Sequence, residues 1–264
     1  MTRSNERWSG RAAGAALLFA LVGAPAVARA DQTTDQPGGA PPPTIEALRD
    51  GTTLPFGLVA TREHMRAVAT GFGGYDGARE AGILEFAAAV RLWGPISIHG
   101  GGVYVSSADE VRPSLGGMVQ LLTQPRAGID MSLSVTYRPE GLTEPEGEIE
   151  TALQVGRRAG AASLVGSATY GQDPEGNERD GELRAAALFP AGPTLVGADL
   201  RGRLAFSRPD GSEEPDYDVV AGPVVVLPIQ RFALTGLVGA TVVGAADDSR
   251  QTGVLGLLGA SRIF

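Results

Sequence analysis

The sequence offers few residues for nucleophilic or acid–base catalysis. It contains two histidines, His64 and His99, and no cysteine. Hydrolysis by a serine nucleophile needs a base and an orienting carboxylate that converge on it, and neither histidine lies in a motif that places such partners beside it. The sequence therefore predicts that this protein is not an enzyme. The absence of cysteine excludes disulfides and thiol catalysis.

One acidic segment has the composition of a cation-binding loop but not its spacing. In DPEGNERDGELR, Asp173, Glu175 and Asn177 stand at alternate positions. An EF-hand loop needs glycine at its sixth position and glutamate at its twelfth, where this segment has Glu178 and Arg184. We expect no metal site here, and the sequence predicts no cofactor.

Acids and arginines are the remaining residues that could carry a function. Every basic residue is an arginine and the formal net charge is −8, which argues against a nucleic-acid partner. On one face of neighbouring strands, such groups could neutralise one another in a filled interior, or form rings of charge in a narrow wet pore. The candidate pore-lining residues are Arg138, Glu148, Glu150, Glu182, Arg184, Asp199, Arg201, Arg203 and Asp218.

These residues belong to segments with the period of β-strands. Apolar and polar residues alternate in twelve runs, most of them near the roughly 9–11 residues of a tilted membrane strand. In IDMSLSVTYR (129–138), Leu133 and Tyr137 share one face, and Asp130 and Arg138 share the other. The predicted strands are 66–76, 81–93, 96–106, 113–123, 129–138, 148–158, 162–172, 182–189, 194–206, 217–227, 232–245 and 252–264.

The links between these runs alternate in length and charge. Links after even-numbered runs, such as QPRAG and AGP, are short and contain no acid, whereas links after odd-numbered runs, such as PEGLTEPEG and SRPDGSEEPD, are longer and acidic. Short periplasmic turns and long extracellular loops are typical of outer-membrane barrels. We therefore predict an all-β, antiparallel meander transmembrane β-barrel of twelve strands, with both ends periplasmic and a short N-terminal extension.

The N-terminal segment predicts export. Residues 1–30 combine basic residues with a short apolar run and end in Ala28-Arg29-Ala30, which is the pattern of a cleaved signal peptide. Residues 31–65 are predicted to be a disordered, Pro/Gly-rich linker and a lead-in that could enter the barrel as a plug. The barrel would then occupy residues 66–264.

The last run, GVLGLLGASRIF, places Val254, Leu258, Ala260 and Phe264 on one face. As the closing strand of a barrel, it would set Phe264 among the aromatic residues at the membrane boundary. In these features, residues 66–264 resemble the bacterial outer-membrane β-barrel proteins, many of which end in an aromatic strand that the assembly machinery recognises. Arg262 departs from this pattern, because many members have an aromatic or apolar residue there.

The resemblance implies a Gram-negative origin and, after cleavage near Ala30, a location in the cell outer membrane. It also implies partners: periplasmic chaperones, the barrel-assembly machinery with Phe264 as its signal, and outer-membrane lipid with lipopolysaccharide. No oligomeric state follows from the sequence.

Three functional interpretations stay open at this point. The first is a narrow passive channel for small polar solutes with a mild cation preference, because acids outnumber arginines in the longer loops. Small residues at Gly101, Gly197, Gly222 and Gly239 favour this open path. The second is a closed barrel with a structural or adhesive role through acidic extracellular loops. The third is a secreted, soluble, lipocalin-like binding protein, whose strands would alternate in the same way.

Overall fold

The chain forms a closed barrel of twelve antiparallel strands. A computed structural model describes residues 67–139, 141, 147–207, 215–229, 232–244 and 249–264. The predicted signal peptide and the segment 31–65 lie outside the described residues. The strands are β1 (Ala67–Asp76), β2 (Ala81–Trp93), β3 (Ile96–Val105), β4 (Glu110–Leu122), β5 (Asp130–Pro139), β6 (Gly147–Ala159), β7 (Ala162–Gln172), β8 (Arg179–Ala191), β9 (Thr194–Ser207), β10 (Tyr217–Ile229), β11 (Phe232–Gly244) and β12 (Arg250–Ile263).

Each strand pairs with its neighbours in the sequence, and β12 pairs with β1 to close the barrel. At the seam, Thr70 lies opposite Ser261. The Phe264 N–H donates to the Ala67 carbonyl at 2.9 Å, and the Ala67 N–H donates to the Phe264 carbonyl at 3.4 Å. The twelve-strand meander and the role of the last run as closing strand are thus confirmed. The largest difference from the prediction is β8, which is longer at both ends than 182–189.

The two faces of the sheet are arranged for a lipid exterior. Large apolar side chains point outward, and Leu115, Leu183 and Leu258 are 69%, 69% and 68% exposed. Charged side chains such as Arg184 and Asp218 point inward and are buried. A soluble lipocalin-like barrel has the opposite arrangement, because in water its apolar face must line the interior. The soluble interpretation is therefore wrong, since the exterior of this barrel is suited to hydrocarbon.

The links differ at the two ends of the barrel, although less regularly than predicted. At one end, residues 94–95, 160–161 and 192–193 make short turns, and we call this the turn end. The opposite end, the loop end, has the longer links, but 77–80 and 106–109 there are also short.

The β4–β5 link at the turn end is longer than expected. It contains a single helical turn, α1 (Gln124–Ala127), which ends at Gly128 with a φ of 77°. Glycine adopts this left-handed conformation without the steric cost that a Cβ would add. No helix in the described part of the chain has the length and hydropathy needed to cross a membrane.

Candidate pore and its charged wall

All nine predicted pore-lining residues lie on the inner face of the barrel. Residues directly opposite one another in the ladder share a face, and the register places Arg138 opposite Glu148, Glu182 opposite Arg203, and Asp218 opposite Arg203. The set forms one arc over β5, β6, β8, β9 and β10, in the loop-end half and the middle of the barrel.

Three ion pairs join β8 and β9 diagonally. Arg184 lies directly opposite Arg201, and two like charges in such a position repel each other. Arg184 instead bonds to Asp199, one pair further towards the turn end. Arg201 bonds to Glu182 at 2.7 Å, and Arg203 pairs with Asp180. Arg201 and Arg203 thus reach in the direction opposite to Arg184, towards the loop end. The facing Arg184 and Arg201 side chains turn away from each other, so each is neutralised and the repulsion is relieved.

The pair between Arg184 and Asp199 is the most buried of these contacts. The Arg184 side chain is 1% exposed and that of Asp199 is 4% exposed. The contact is bidentate, with Nε donating to Oδ1 at 3.1 Å and Nη2 donating to Oδ2 at 2.5 Å. A fork-to-fork geometry of this kind is the strongest form of the arginine–carboxylate contact. It ties β8 to β9 in the middle of the barrel.

Two residues that the sequence analysis missed extend this network across the loop end. Arg79, in the link between β1 and β2, donates to Asp76 and to Asp218, each at 2.8 Å. Asp218 is also 3.5 Å from Arg201. The link therefore folds over β12 and β11 to reach β10. The sequence signal for this turn was Asp76-Gly77, because an Asp before a turn often accepts a hydrogen bond from the backbone N–H two residues later. The Ala78 N–H donates to Asp76 in this way.

Glu148 is the exception among the charged residues of the arc. Its neighbour Glu150 pairs with Arg138 at 2.7 Å. Glu148 makes no hydrogen bond or ion pair with any residue that the structure describes. Its carboxylate lies over Gly171 on β7, where any larger side chain would collide with it. A cavity of about 230 Å³ at the loop end is lined by Glu148, together with Arg112, Arg138, Asp180 and Arg203.

The inner wall formed by β8–β12 is packed and largely apolar. Val224 and Val226 are 0% exposed, and Leu237, Leu188 and Leu255 are 1% exposed. They belong to one cluster of buried apolar side chains. This part of the wall is packed and contributes no surface to a water-filled path.

The opposite wall, formed by β3–β7, is polar and partly accessible to solvent. Glu150, Gln154, Thr136 and His99 all lie on the inner face and are half-buried. The His99 ring nitrogen Nε2 lies 2.8 Å from the Thr136 hydroxyl oxygen. Solvent therefore reaches the interior along this side of the barrel.

The glycines that were expected to favour an open path have a different role. A Cβ on Gly197 would meet the Ala187 carbonyl, and a Cβ on Gly222 would meet the Val238 carbonyl. The pairing of β10 with β11 is also interrupted at Gly222 and Pro223, because proline has no N–H to donate. These glycines allow neighbouring strands to approach closely. Close strand packing therefore accounts for Gly197 and Gly222 without an open path.

At the turn end, the link that contains α1 is held against the neighbouring strands by hydrogen bonds. The Gln124 N–H donates to Asp130 Oδ1 at 2.9 Å, and the Arg158 N–H donates to Gln124 Oε1 at 2.8 Å. Asp130, Ser132 and Ser163 on the inner face nearby are at most 6% exposed. The link is thereby fixed to β6 across β5, and water has less access here than at the loop end.

Comparison with known proteins identifies the fold. No family model matches the chain, and no curated protein matches it. Among solved structures, a KdgM porin covers 75% of this chain and 99% of its own, with 6% identity and a TM-score of 0.53. A KdgM porin in complex with disordered oligogalacturonate covers 75% of this chain and 99% of its own, with 9% identity and a TM-score of 0.54. A NanC porin covers 74% of this chain and 98% of its own, with 9% identity and a TM-score of 0.50. The chain therefore shares the β-barrel fold of these porins.

Proposed function

We propose that this protein is a narrow, passive, non-catalytic channel for small polar solutes in the outer membrane, reached after removal of the signal peptide near Ala30. The observation that carries the proposal is the difference between the two inner walls. The wall of β3–β7 is polar and half-accessible along Glu150, Gln154 and His99, whereas the wall of β8–β12 is packed. A path for solutes would thus follow the polar side. The similar porin fold supports the same function.

We further propose a mild preference for cations. Arg138, Arg184, Arg201 and Arg203 are each paired with a carboxylate. Paired arginines offer little positive field to a passing ion, so the surplus of acids over arginines on the inner face sets the sign of the potential. Acids also outnumber arginines among the inward-facing charges of the described strands, where the acids are Asp76, Glu85, Glu110, Asp130, Glu148, Glu150, Asp180, Glu182, Asp199 and Asp218, and the arginines are Arg91, Arg112, Arg138, Arg158, Arg184, Arg201 and Arg203.

The test is conductance of the purified, folded barrel in planar bilayers, with reversal potentials measured in a gradient of potassium chloride. We expect small discrete steps and a reversal potential on the cation side. The preference should weaken with salt, because the Debye length falls from about 10 Å at 0.1 M to about 3 Å at 1 M. Glu150→Gln should shift the reversal potential towards anions without abolishing conductance, because it leaves Arg138 without its carboxylate partner.

Glu175→Gln is the matched control. It removes a carboxylate from an exposed position in the link 173–178, outside the inner face, and should shift the reversal potential less than Glu150→Gln. Equal shifts would show that the field of the loops as a whole sets the preference. An anion-side reversal potential in the unmodified protein would refute the cation preference alone. Folded protein without any conductance would refute the channel and favour a closed barrel that acts through its loops.

A further inference from the structure

Arg262 is a cation on the outer face of the barrel at its turn end. It is paired with Phe232 on β11 and with Ala69 on β1. The register of β12 is continuous from Val254, which is 61% exposed on the outer face, and alternate residues share a face. Arg262 therefore points towards lipid, one residue from the end of β12. Arginine on this face is tolerated near the membrane interface and not at mid-bilayer depth.

Two aromatic rings contact the guanidinium group of Arg262. Its Cζ lies 5.3 Å from the centre of the Phe232 ring and 4.6 Å from the centre of the Phe264 ring. Cation–π contacts of this kind fix the position of the guanidinium but use none of its N–H donors. The cluster Phe232–Arg262–Phe264 thus presents a positioned, charged donor group among rings at the membrane boundary.

The donors of Arg262 have no partner among the residues that the structure describes. Its Nε is buried without a hydrogen bond, and no acidic side chain in the described part of the chain forms an ion pair with it. A guanidinium group that is held in place without an ion-pair partner costs desolvation free energy in a low-dielectric setting. An anion from outside the protein that pairs with it would offset this cost. The remaining donors, at the two Nη atoms, suit the oxygens of a phosphate.

We propose that Phe232, Arg262 and Phe264 form a binding site for the phosphate of a phospholipid headgroup, in the leaflet that surrounds the turn end. In an outer-membrane barrel the short turns face the periplasm, so this leaflet is the inner one. The rings contact the acyl-chain boundary and Arg262 binds the phosphate, as basic residues at membrane interfaces do. The proposal needs only the membrane-spanning fold, so its test is independent of conduction.

The test uses the folded protein in dodecyl maltoside, a detergent without phosphate. Phosphatidylglycerol is titrated in, and the temperature midpoint of heat-induced unfolding is followed by gel mobility, with native mass spectrometry to count retained lipid. We expect phosphatidylglycerol to raise the midpoint of the unmodified protein. In Arg262→Gln the apparent affinity should fall about tenfold, as expected for loss of one charged contact. Arg262→Lys and Phe232→Leu should each give intermediate losses.

Arg157→Gln is the matched control, because Arg157 also faces outward near the turn end, opposite Leu164. It should bind phosphatidylglycerol like the unmodified protein. An equal loss of affinity for phosphatidylglycerol in Arg157→Gln would overturn the proposal. It would mean that the charges around the rim attract the lipid without a specific site. An equal effect of diacylglycerol, which has no phosphate, or of inorganic phosphate alone would also overturn the proposal.

The assembly machinery is the other partner that could recognise Arg262. If Arg262→Gln reduced the amount of folded barrel in cells while phosphatidylglycerol bound the purified variant normally, Arg262 would act in assembly and the lipid site would be refuted. If Arg262→Gln does not fold, Arg262→Lys and Phe232→Leu decide: normal lipid affinity in both would overturn the proposal.

Discussion

Breaking the Arg184–Asp199 pair should destabilise the barrel strongly. The two side chains are 1% and 4% exposed, and Leu188 and Val220 nearby on the inner face are buried. Replacing one partner leaves the other charge without compensation in a site with little water. We expect Arg184→Met or Asp199→Asn to lower the free energy of unfolding by about 3–5 kcal/mol each.

The double variant separates the interaction energy of the pair from the other effects of each substitution. Removing both charges leaves no uncompensated ion, so Arg184→Met with Asp199→Asn should cost much less than the sum of the single changes. The measurement is guanidinium unfolding of the refolded barrel in lipid vesicles, followed by tryptophan fluorescence. Arg138→Gln is the control, because the Arg138 side chain is 43% exposed in its pair with Glu150. This loss should be about 1 kcal/mol or less.

A cost below about 1 kcal/mol for both single variants at Arg184 and Asp199 would refute this reasoning. Such a result would mean that water compensates either charge in the middle of the barrel. The wall of β8–β12 would then be wet, and the proposed path along β3–β7 would lose its structural basis. The stability measurement thus tests the distribution of water inside the barrel without relying on conductance.

Three further predictions address topology, assembly and strand packing. A protease site inserted within 174–177 should be cleaved on intact cells and one inserted at 192–193 should not, whereas cleavage at 192–193 alone would reverse the proposed orientation. Removing Phe264 should lower the amount of heat-modifiable barrel in the outer membrane, because a boundary aromatic and the backbone contact with Ala67 are lost; unchanged amounts would contradict its role as an assembly signal. Gly222→Ala should destabilise the refolded barrel by about 1–3 kcal/mol, because its Cβ would meet the Val238 carbonyl, while Gly202→Ala, with no atom within 4 Å of its Cβ, should leave the stability unchanged.

The strands were predictable because a transmembrane barrel repeats one simple constraint. Every strand must present apolar residues to lipid and can present polar residues to the interior, so a period of two persists over the whole segment. This constraint fixed the number of strands, the faces and the inward position of residues such as Arg184 and Asp218. It also allowed the last run to be predicted as the closing strand, since Leu258 and Val254 lie on the lipid side.

The partners of the inward charges were not predictable from this period. Alternation assigns a side chain to a face, but the partner depends on the register between strands and on the direction in which long side chains reach. Arg184 lies opposite another arginine, Arg201, and finds its acid diagonally. The contact of Arg79 with Asp218 was even less predictable from the sequence, because it joins a link to a strand that is not its neighbour.

The two inner walls explain why the lumen carries so many charges although few of them are free. On β8–β10, diagonal pairs and the contacts of Asp218 with Arg79 and Arg201 neutralise most charges and fix the strands relative to one another. A wall stabilised in this way can remain packed while the opposite wall holds water. In the proposed channel, selectivity would then depend on the balance of the inward charges that remain after pairing, and the surplus of acids makes that balance negative.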